Sequence, residues 1–371
     1  MIVAGEASGD MRAAEVAQAL HAAAPSLRMT GVGGEHMTKA GVELFANITD
    51  LAVIGFVEVV RHYSRIKKVF NQILAEVDRT RPDAVMLVDY PGFNLRLARQ
   101  LKKKNIKVIY FISPQVWAWK EKRVKTIKEV TDKMLVLFAF EQEFYKKHKM
   151  DVDYVGHPLV DAVKATLKPA DALQAVGLDP AKPAIGLLPG SRDKEVTRHL
   201  PVMLKAAEIL YKQDPQRQFM LLRATTIPEP MIRRLIKRVK VPVTVVTQNS
   251  YNELNAMTAC MVASGTATLE TAILKKPMVV IYKTSWITYA LAKLFVKIKN
   301  IGLVNIVAGK QIVAELIQNN ATPQKIAAEM EKLLSDPKES MRIQKELSKI
   351  HVWLGDPGAS RRAAKIITRE L

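Results

Sequence analysis

The stretch Ser264-Gly265-Thr266-Ala267-Thr268-Leu269-Glu270 gathers the groups that would hold a phosphorylated ligand. It follows the apolar run Ala259–Ala263, which reads as a buried strand, and opens a helical pattern through Leu269, Ala272 and Ile273. The first turn of a helix carries N–H groups without intrahelical partners and a partial positive charge. Thr266 and Thr268 would add hydroxyls there, and Glu270 could accept from a ribose diol. A diphosphate fits this arrangement, and so does plain helix capping by either threonine.

Three further loops carry chemistry after apolar runs. Pro189-Gly190-Ser191-Arg192 follows Ala184–Leu188 and makes a second anion cradle, in which Arg192 could grip a departing diphosphate through two parallel hydrogen bonds. Glu195 stands one residue too far from Ser191 for a capping box built on that serine, which favours a ligand. Asp89-Tyr90-Pro91 follows Ala84–Val88. Pro91 pushes Tyr90 towards extended backbone, so the chain should turn sharply just after Asp89. A carboxylate there could be a general base, its pKa raised by partial burial, or could bond the turn backbone. Gly5-Glu6-Ala7-Ser8-Gly9-Asp10 follows Ile2–Ala4 and lacks the G-x-G-x-x-G of dinucleotide sites. Glu6, Ser8 and Asp10 can bind hydroxyls around Gly9, while two carboxylates repel phosphate, so the loop suits a sugar acceptor; the other reading is a turn with Ser8 or Asp10 as helix cap.

Other chemistry finds no support. The seven histidines show no metal-binding spacing, and a lone cysteine, Cys260, forms no zinc cluster. Asp151-Val152-Asp153 lies in an alternating strand whose two carboxylates share an exposed face. His157 beyond it could line a ligand cleft or be satisfied by its turn. No G-x-S-x-G or Cys/His pairing is present. Neither a metal nor a cofactor is expected.

Short apolar strands alternating with helical stretches must position these loops. Strands are expected at Ile2–Ala4, Arg28–Gly31, Ala84–Val88, Val108–Ile112, Met134–Leu137 and Val152–Val155, then at Ala184–Leu188, Gln218–Leu222, Val241–Val246, Ala259–Ala263 and Met278–Ile281. Such alternation predicts α/β architecture with parallel sheets and right-handed crossovers. The proline-marked stretch Leu167–Pro183 reads as the link between two doubly wound, Rossmann-like domains facing a cleft. Ligands in such sheets sit beyond the carboxyl ends of strands.

Hydrophobic residues make up 49% of the 371, as in a folded chain, and no apolar run approaches the ~18 residues of a membrane span. The chain opens directly on a strand pattern, so no signal peptide is expected. One cysteine points to a reducing, cytoplasmic setting. A net charge of +20 favours a polyanionic partner. With no nucleic-acid signature, RNA or DNA is not expected. Two basic amphipathic stretches, Val53–Leu74 and Trp286–Lys299, could lie on an anionic bilayer or face a core.

Taken together the motifs resemble the lipid-A-disaccharide synthases, inverting glycosyltransferases of bacterial outer-membrane lipid synthesis. The resemblance rests on Gly5-Glu6-Ala7-Ser8-Gly9-Asp10, Asp89-Tyr90-Pro91-Gly92-Phe93-Asn94, Ser113-Pro114-Gln115-Val116-Trp117-Ala118-Trp119, Val155-Gly156-His157-Pro158-Leu159, Pro189-Gly190-Ser191-Arg192 and Ser264 to Glu270, in family order along nearly the whole chain. It implies a GT-B fold, with an acceptor-side domain over 1–163, a nucleotide-sugar domain over 164–345, and a C-terminal segment, 346–371, packing back on the first. It also implies metal-independent transfer from UDP-2,3-diacylglucosamine to 2,3-diacylglucosamine 1-phosphate (lipid X) at the inner membrane's cytoplasmic face, forming a β-1,6 bond and UDP. Asp89 would be the base, Glu6, Ser8, Gly9 and Asp10 the acceptor side, and Asn305 and Gln318 would help place the donor. Ala13, Val304, Lys310 and Gln311 depart from the family pattern, as does the missing proline near Phe138-Ala139-Phe140. Competing readings are another UDP-N-acetylglucosamine enzyme of the same fold, a peptidoglycan lipid transferase or 2-epimerase, and a non-catalytic RNA- or lipid-binding protein. The oligomeric state and acyl-chain preference are not legible.

Overall fold

The computed structural model describes residues 1–47, 63–247, 251–286, 289 and 299–371. They form two compact units, Met1–Pro158 with Leu354–Leu371, and Leu159–Trp353. The first holds a parallel sheet of β1 (Ile2–Ala4), β2 (Thr30–Gly33), β3 (Glu43–Asn47), β4 (Ala84–Val88), β5 (Lys107–Phe111), β6 (Lys133–Val136) and β7 (Asp153–Tyr154), in the order 3-2-1-4-5-6-7. The second holds β8 (Ala184–Leu188), β9 (Gln218–Arg223), β10 (Thr244–Thr247), β11 (Ala259–Ala263), β12 (Met278–Tyr282) and β13 (Glu315–Ile317), in the order 10-9-8-11-12-13.

The central strands are the most apolar runs in the chain. β4, β8 and β11 are buried at every position, as sheets covered by helices on both faces require. In each unit the order reverses between the two central neighbours. β1 pairs with β4 as far as Ala4 opposite Val88, and β8 pairs with β11 as far as Leu188 opposite Val262. Crossovers leave such a pair in opposite directions, so their following loops part and leave room for a ligand. The loops singled out by sequence chemistry follow these four strands.

Two edge strands, β3 and β13, fall outside the sequence expectation. β13 has three residues and β3 is half exposed, so neither shows a strong apolar run. The link assigned to Leu167–Pro183 contains the helix Pro169–Ala175 and lies inside the second unit, whose boundary falls at Leu159. At the other end, the helix Pro337–Leu347 packs on Pro323–Ser335 and stays with the second unit, while Ala359–Glu370 packs on the first-unit helix Ala7–Ala23. Small side chains, Ala359, Ala363 and Ala364 on one helix and Ala13, Ala14 and Ala17 on the other, are buried there. Arg362 fixes that return by donating from Nε to the Val155 carbonyl at 2.8 Å.

Gly31 marks the tightest backbone approach in the first sheet: a Cβ there would stand 1.9 Å from the Ile2 carbonyl oxygen. Gly31→Ala should therefore lower unfolding free energy by about 1–3 kcal/mol, the usual cost of overpacking. Urea titration of both proteins checks this, and coincident curves would show that β1 and β2 can part freely.

Candidate functional site

At the carboxyl end of β4 the chain makes a turn that side chains seldom allow. Asp89 and Tyr90 both have φ of 47°, in the left-handed region. The sequence expectation of an extended Tyr90 is thus corrected; proline disfavours the right-handed helical region before it, and here the left-handed one is taken instead. Surrounding bonds hold the strain. Asn94, fully buried, donates from Nδ2 to the carbonyls of Val88 (3.1 Å) and Asp89 (2.8 Å). The Tyr110 hydroxyl donates to the Asp89 carbonyl at 2.6 Å, and the Asp89 N–H donates to Phe111 O at 3.0 Å. The Tyr90 ring occupies the place of a side chain at Gly5, where a Cβ would come within 2.3 Å of it. The Asp89 side chain remains half-buried at the strand end.

The adjacent loop after β1 starts the helix Ala7–Ala23 almost at once, with Glu6 as N-cap and Ser8 exposed. Gly9 is buried, and a Cβ there would lie in ordinary contact with Val88. Asp10 is 3% exposed and faces inward. Its Oδ1 accepts from the Gly34 N–H at 2.6 Å and Met37 N–H at 3.2 Å, and its Oδ2 from His36 N–H at 3.1 Å. It organises the helix Glu35–Lys39 after β2, while Glu6 and Ser8 lie nearer the surface.

In the second unit, Gly190 has φ of 111°, and a Cβ there would meet Glu195 Oε2 at 2.6 Å. The helix Asp193–Gln213 starts with Arg192 as N-cap, which puts Glu195 in its first turn. Glu195 Oε2 accepts from the Ser191 N–H at 3.3 Å, and its Oε1 pairs with Arg192 at 3.1 Å. Counting from Ser191 had excluded a capping acid; counting from the observed cap restores it. Arg192 remains 53% exposed at its side chain, so an anion can compete with an ion pair worth at most about 1 kcal/mol in water.

Next to it, after β11, Gly265 adopts φ of 149° and Thr266 is the exposed N-cap of the helix Ala267–Ile273. Gly265, Thr266 and Ala267 contribute N–H groups that precede any intrahelical acceptor. Thr268 is fully buried and donates to the Gly265 carbonyl at 2.7 Å, bracing the glycine turn. Ser264 Oγ donates to Ile301 O at 2.9 Å. Glu270, half-buried, accepts from the Tyr251 hydroxyl at 3.4 Å. Thr266 is thus exposed and Glu270 half-buried around a turn held by Ser264 and Thr268.

Asn305 and Gln318 make mainly internal bonds. Asn305 is fully buried; its Oδ1 accepts from Ile312 and Val313 N–H at 2.7 and 3.1 Å, and its Nδ2 donates to Val313 O and Glu315 at 2.9 and 2.7 Å. Gln318 exchanges two hydrogen bonds with the Thr284 backbone, at 2.8 and 2.9 Å. Val304 is fully buried and Lys310 pairs with Glu346 at 2.8 Å, so these two departures from the family pattern sit in packing and surface roles.

Sequence spacing did not flag His199, which ties the Pro189–Arg192 loop after β8 to the backbone that leaves β12. It is 1% exposed in the helix Asp193–Gln213, and burial lowers its pKa. Its Nδ1 bonds to Pro189 O at 3.1 Å while its Nε2 accepts from the Lys283 N–H at 2.9 Å, which assigns the neutral tautomer with the proton on Nδ1. A single histidine on an apolar helix face gives no distinctive pattern. In the first unit His157 is also buried and neutral, its pKa lowered to about 3 by burial and then by Arg12.

Of the two stretches considered for lipid, 53–62, 287–288 and 290–298 lie outside the described residues. The described remainder of the first belongs to the helix Tyr63–Thr80, where Val69 and Phe70 pack into the core, Phe70 edge-on to Phe93 with ring centroids 5.5 Å apart. In the second, Trp286 is 72% exposed. No helix among the described residues is long and apolar enough to cross a membrane, and no metal-binding cluster occurs among them.

Comparison with known proteins supplies the remaining constraint. The family model described as lipid-A-disaccharide synthetase matches residues 1–368. A lipid-A-disaccharide synthase from Syntrophus aciditrophicus is 45% identical over 98% of this chain and 95% of its own, and one from Trichlorobacter lovleyi is 42% identical over 99% and 96%. Among solved structures, a UDP-GlcNAc 2-epimerase from Neisseria meningitidis bound to UDP-GlcNAc superposes with a TM-score of 0.68 at 13% identity, covering 99% of both chains. The calicheamicin glycosyltransferase CalG4 gives 0.59 at 14%, covering 100% of this chain and 96% of that one. At these identities the structural likeness speaks for fold alone, that of the two-domain GT-B class.

Asn305→Ala should lower stability by about 1–3 kcal/mol, because it leaves buried N–H and C=O groups without partners. Denaturant titration without any ligand checks this. Unchanged stability together with a weakened response to UDP would return Asn305 to the ligand.

Proposed function

The chain belongs to the lipid-A-disaccharide synthetase family, and from that premise we propose which substrates it joins and which side chains act on them. It is a glycosyltransferase of lipid A biosynthesis. The proposed donor is UDP-2,3-diacylglucosamine and the proposed acceptor 2,3-diacylglucosamine 1-phosphate, joined β-1,6 with inversion. The acceptor's 6-hydroxyl oxygen attacks the anomeric carbon, the bond from that carbon to the diphosphate oxygen breaks, and Asp89 takes the hydroxyl proton. UDP leaves carrying the electron pair of the broken bond.

The observation that carries this reading is the chemistry at the two points of strand reversal. One presents a carboxylate on a strained turn beside a hydroxyl-binding loop, Glu6 with Ser8 and Gly9. The other presents Gly190, Ser191 and exposed Arg192 beside the Gly265 turn. Charge building on the diphosphate would meet the N–H groups from Gly265 to Ala267, Thr266 and Arg192, with Glu270 on the ribose. Thr268 acts one step back by bracing the Gly265 turn, while Asp10, Asn305 and Gln318 fix neighbouring backbone after β2, around β13 and after β12. The acylated substrates and the +20 charge favour action at an anionic membrane surface on the cytoplasmic side, with the exposed Trp286 as a contact.

UDP release by purified protein in detergent tests the reading. Release should require both substrates, persist in EDTA and yield one disaccharide; release from UDP-N-acetylglucosamine alone would point instead to an epimerase-like activity. Asp89→Asn should lose about two to four decades of turnover with substrate binding largely kept. Near-normal turnover would remove Asp89 from the role. Arg192→Ala should weaken inhibition by UDP, and an unchanged inhibition constant would count against the contact.

A further inference from the structure

Beyond β6, two strands along the sheet from the one that leads into Asp89, lies a buried carboxyl group that the reaction above does not use. Glu141 sits in the helix Ala139–Lys147 and is 2% exposed. Its Oε2 accepts from the Leu137 and Phe138 N–H groups at 3.2 and 3.1 Å, and its Oε1 from the Trp117 indole Nε1–H at 3.2 Å. The Ser113 hydroxyl faces the same carboxyl and bonds the Tyr145 hydroxyl at 2.7 Å. Ser113 and Trp117 belong to the segment that leaves β5, and the Asp89 N–H is bonded to Phe111, the last residue of β5.

We propose that Glu141 is a positioning residue: its ionised carboxylate holds Trp117 and the Ser113–Trp119 segment, and through the end of β5 it sets the turn that carries Asp89. Its bearing on turnover rests on the reading of Asp89 as the base. Its hold on Trp117 does not.

The argument is one of donors and acceptors. An ionised carboxylate only accepts, and the Leu137, Phe138 and Trp117 groups bonded to it are all N–H donors. A protonated carboxyl keeps acceptor lone pairs and can turn its hydrogen to the Ser113 hydroxyl, but it loses its charge, so the N–H bonds to it weaken from charge-assisted to neutral. The two backbone N–H groups are fixed by the turn from β6 into the helix, which leaves the side-chain indole bond as the one free to lengthen. The polar anchor of Trp117 is then weaker beside its edge-on contact with Phe140, centroids 5.0 Å apart.

The groups facing Glu141 leave this equilibrium near neutrality. From the segment after β5 come Ser113 and Trp117, from the end of β6 two N–H groups, and from its own helix Tyr145, whose hydroxyl burial keeps protonated. Beyond Phe138 stands neutral His157, with ring centroids 5.3 Å apart. Burial without a cationic partner raises the Glu141 pKa to about 7, against the opposing pull of the N–H and hydroxyl donors.

The test is a pH titration of the Trp117 indole N–H resonance in nitrogen-15-labelled protein, assigned by its loss in Trp117→Phe. The resonance should move with a midpoint near 7 between about pH 5 and 9 in wild type and equally in Asp89→Asn, and should stay still in Glu141→Gln. A wild-type resonance that does not move, or one that titrates alike in Glu141→Gln, overturns the proposal. In turnover, kcat/KM for the acceptor should fall tenfold per pH unit below the midpoint in wild type. In Glu141→Gln that limb should vanish at a level lower by about a hundredfold, the cost of a misplaced base. An acid limb kept in full by Glu141→Gln would also overturn it. A wild type that turns nothing over would sink the Asp89 reading and leave the indole titration standing.

Discussion

The left-handed turn at Asp89 is the constraint on which the proposed acceptor side depends. Two successive non-glycine residues with φ of 47° cost of order 1–3 kcal/mol each and persist only where their surroundings over-determine them. Here three elements do so. The fully buried β4 is bonded to β1 on one side and β5 on the other, which fixes where the turn begins. Asn94 reaches back from the following helix to the two carbonyls that the turn would strand, and Tyr110 reaches across from β5 to one of them. The Tyr90 ring fills the space that Gly5 leaves empty. The strain is held by bonds that end at backbone atoms of residues 88 and 89, leaving the Asp89 carboxylate at the surface of the strand end.

A second pattern runs through both units. Acidic side chains near the strand ends bond backbone N–H groups. Asp10 gathers the start of the helix after β2, Glu195 draws in the Ser191 N–H, and Glu315 accepts from Ile301 and Gly302 N–H at 2.8 and 3.0 Å. In each case a carboxylate takes up orphan donors at a turn, which both rigidifies the loop and occupies negative charge that would repel a diphosphate. Arg192, paired with Glu195 yet half exposed, stands beside the N–H groups around Gly265 in a chain of +20 net charge.

The fold, and the position of the loops proposed for the site, were legible wherever the signal was a strong apolar run ending in an unusual turn. β1, β4, β8 and β11 coincide with their expected spans, and each is followed by a loop whose residue types announced chemistry. What escaped was of two kinds. Short, half-exposed edge strands such as β13 bury too little to show a period. The division of labour within a loop depends on side-chain direction, which spacing does not give: Asp10 and Ser8 are two residues apart, yet one faces inward to a neighbouring helix and the other outward. Likewise the helix cap at Arg192 instead of Ser191 shifts the meaning of Glu195, and His199 has no local pattern at all because its partners, Pro189 and Lys283, come from two distant loops.

Glu141 sets stability against arrangement. Its folded pKa, about 7, lies above the ordinary carboxylate value of 4.5. A raised folded pKa means that its stabilising contribution is fully present below the unfolded pKa and is lost as pH rises through the folded one. The fold is therefore most comfortable with Glu141 protonated, while the three N–H donors around it are best served when it is ionised. Keeping a buried acid that costs stability above neutrality makes sense if the ionised arrangement does something the protonated one does not. An apolar residue of similar size would pack here without that cost, and would leave the Leu137, Phe138 and Trp117 N–H groups without an acceptor. A carboxylate satisfies all three from a single buried position, and it does so beside the segment that leaves β5, the neighbour of the strand that carries the proposed base.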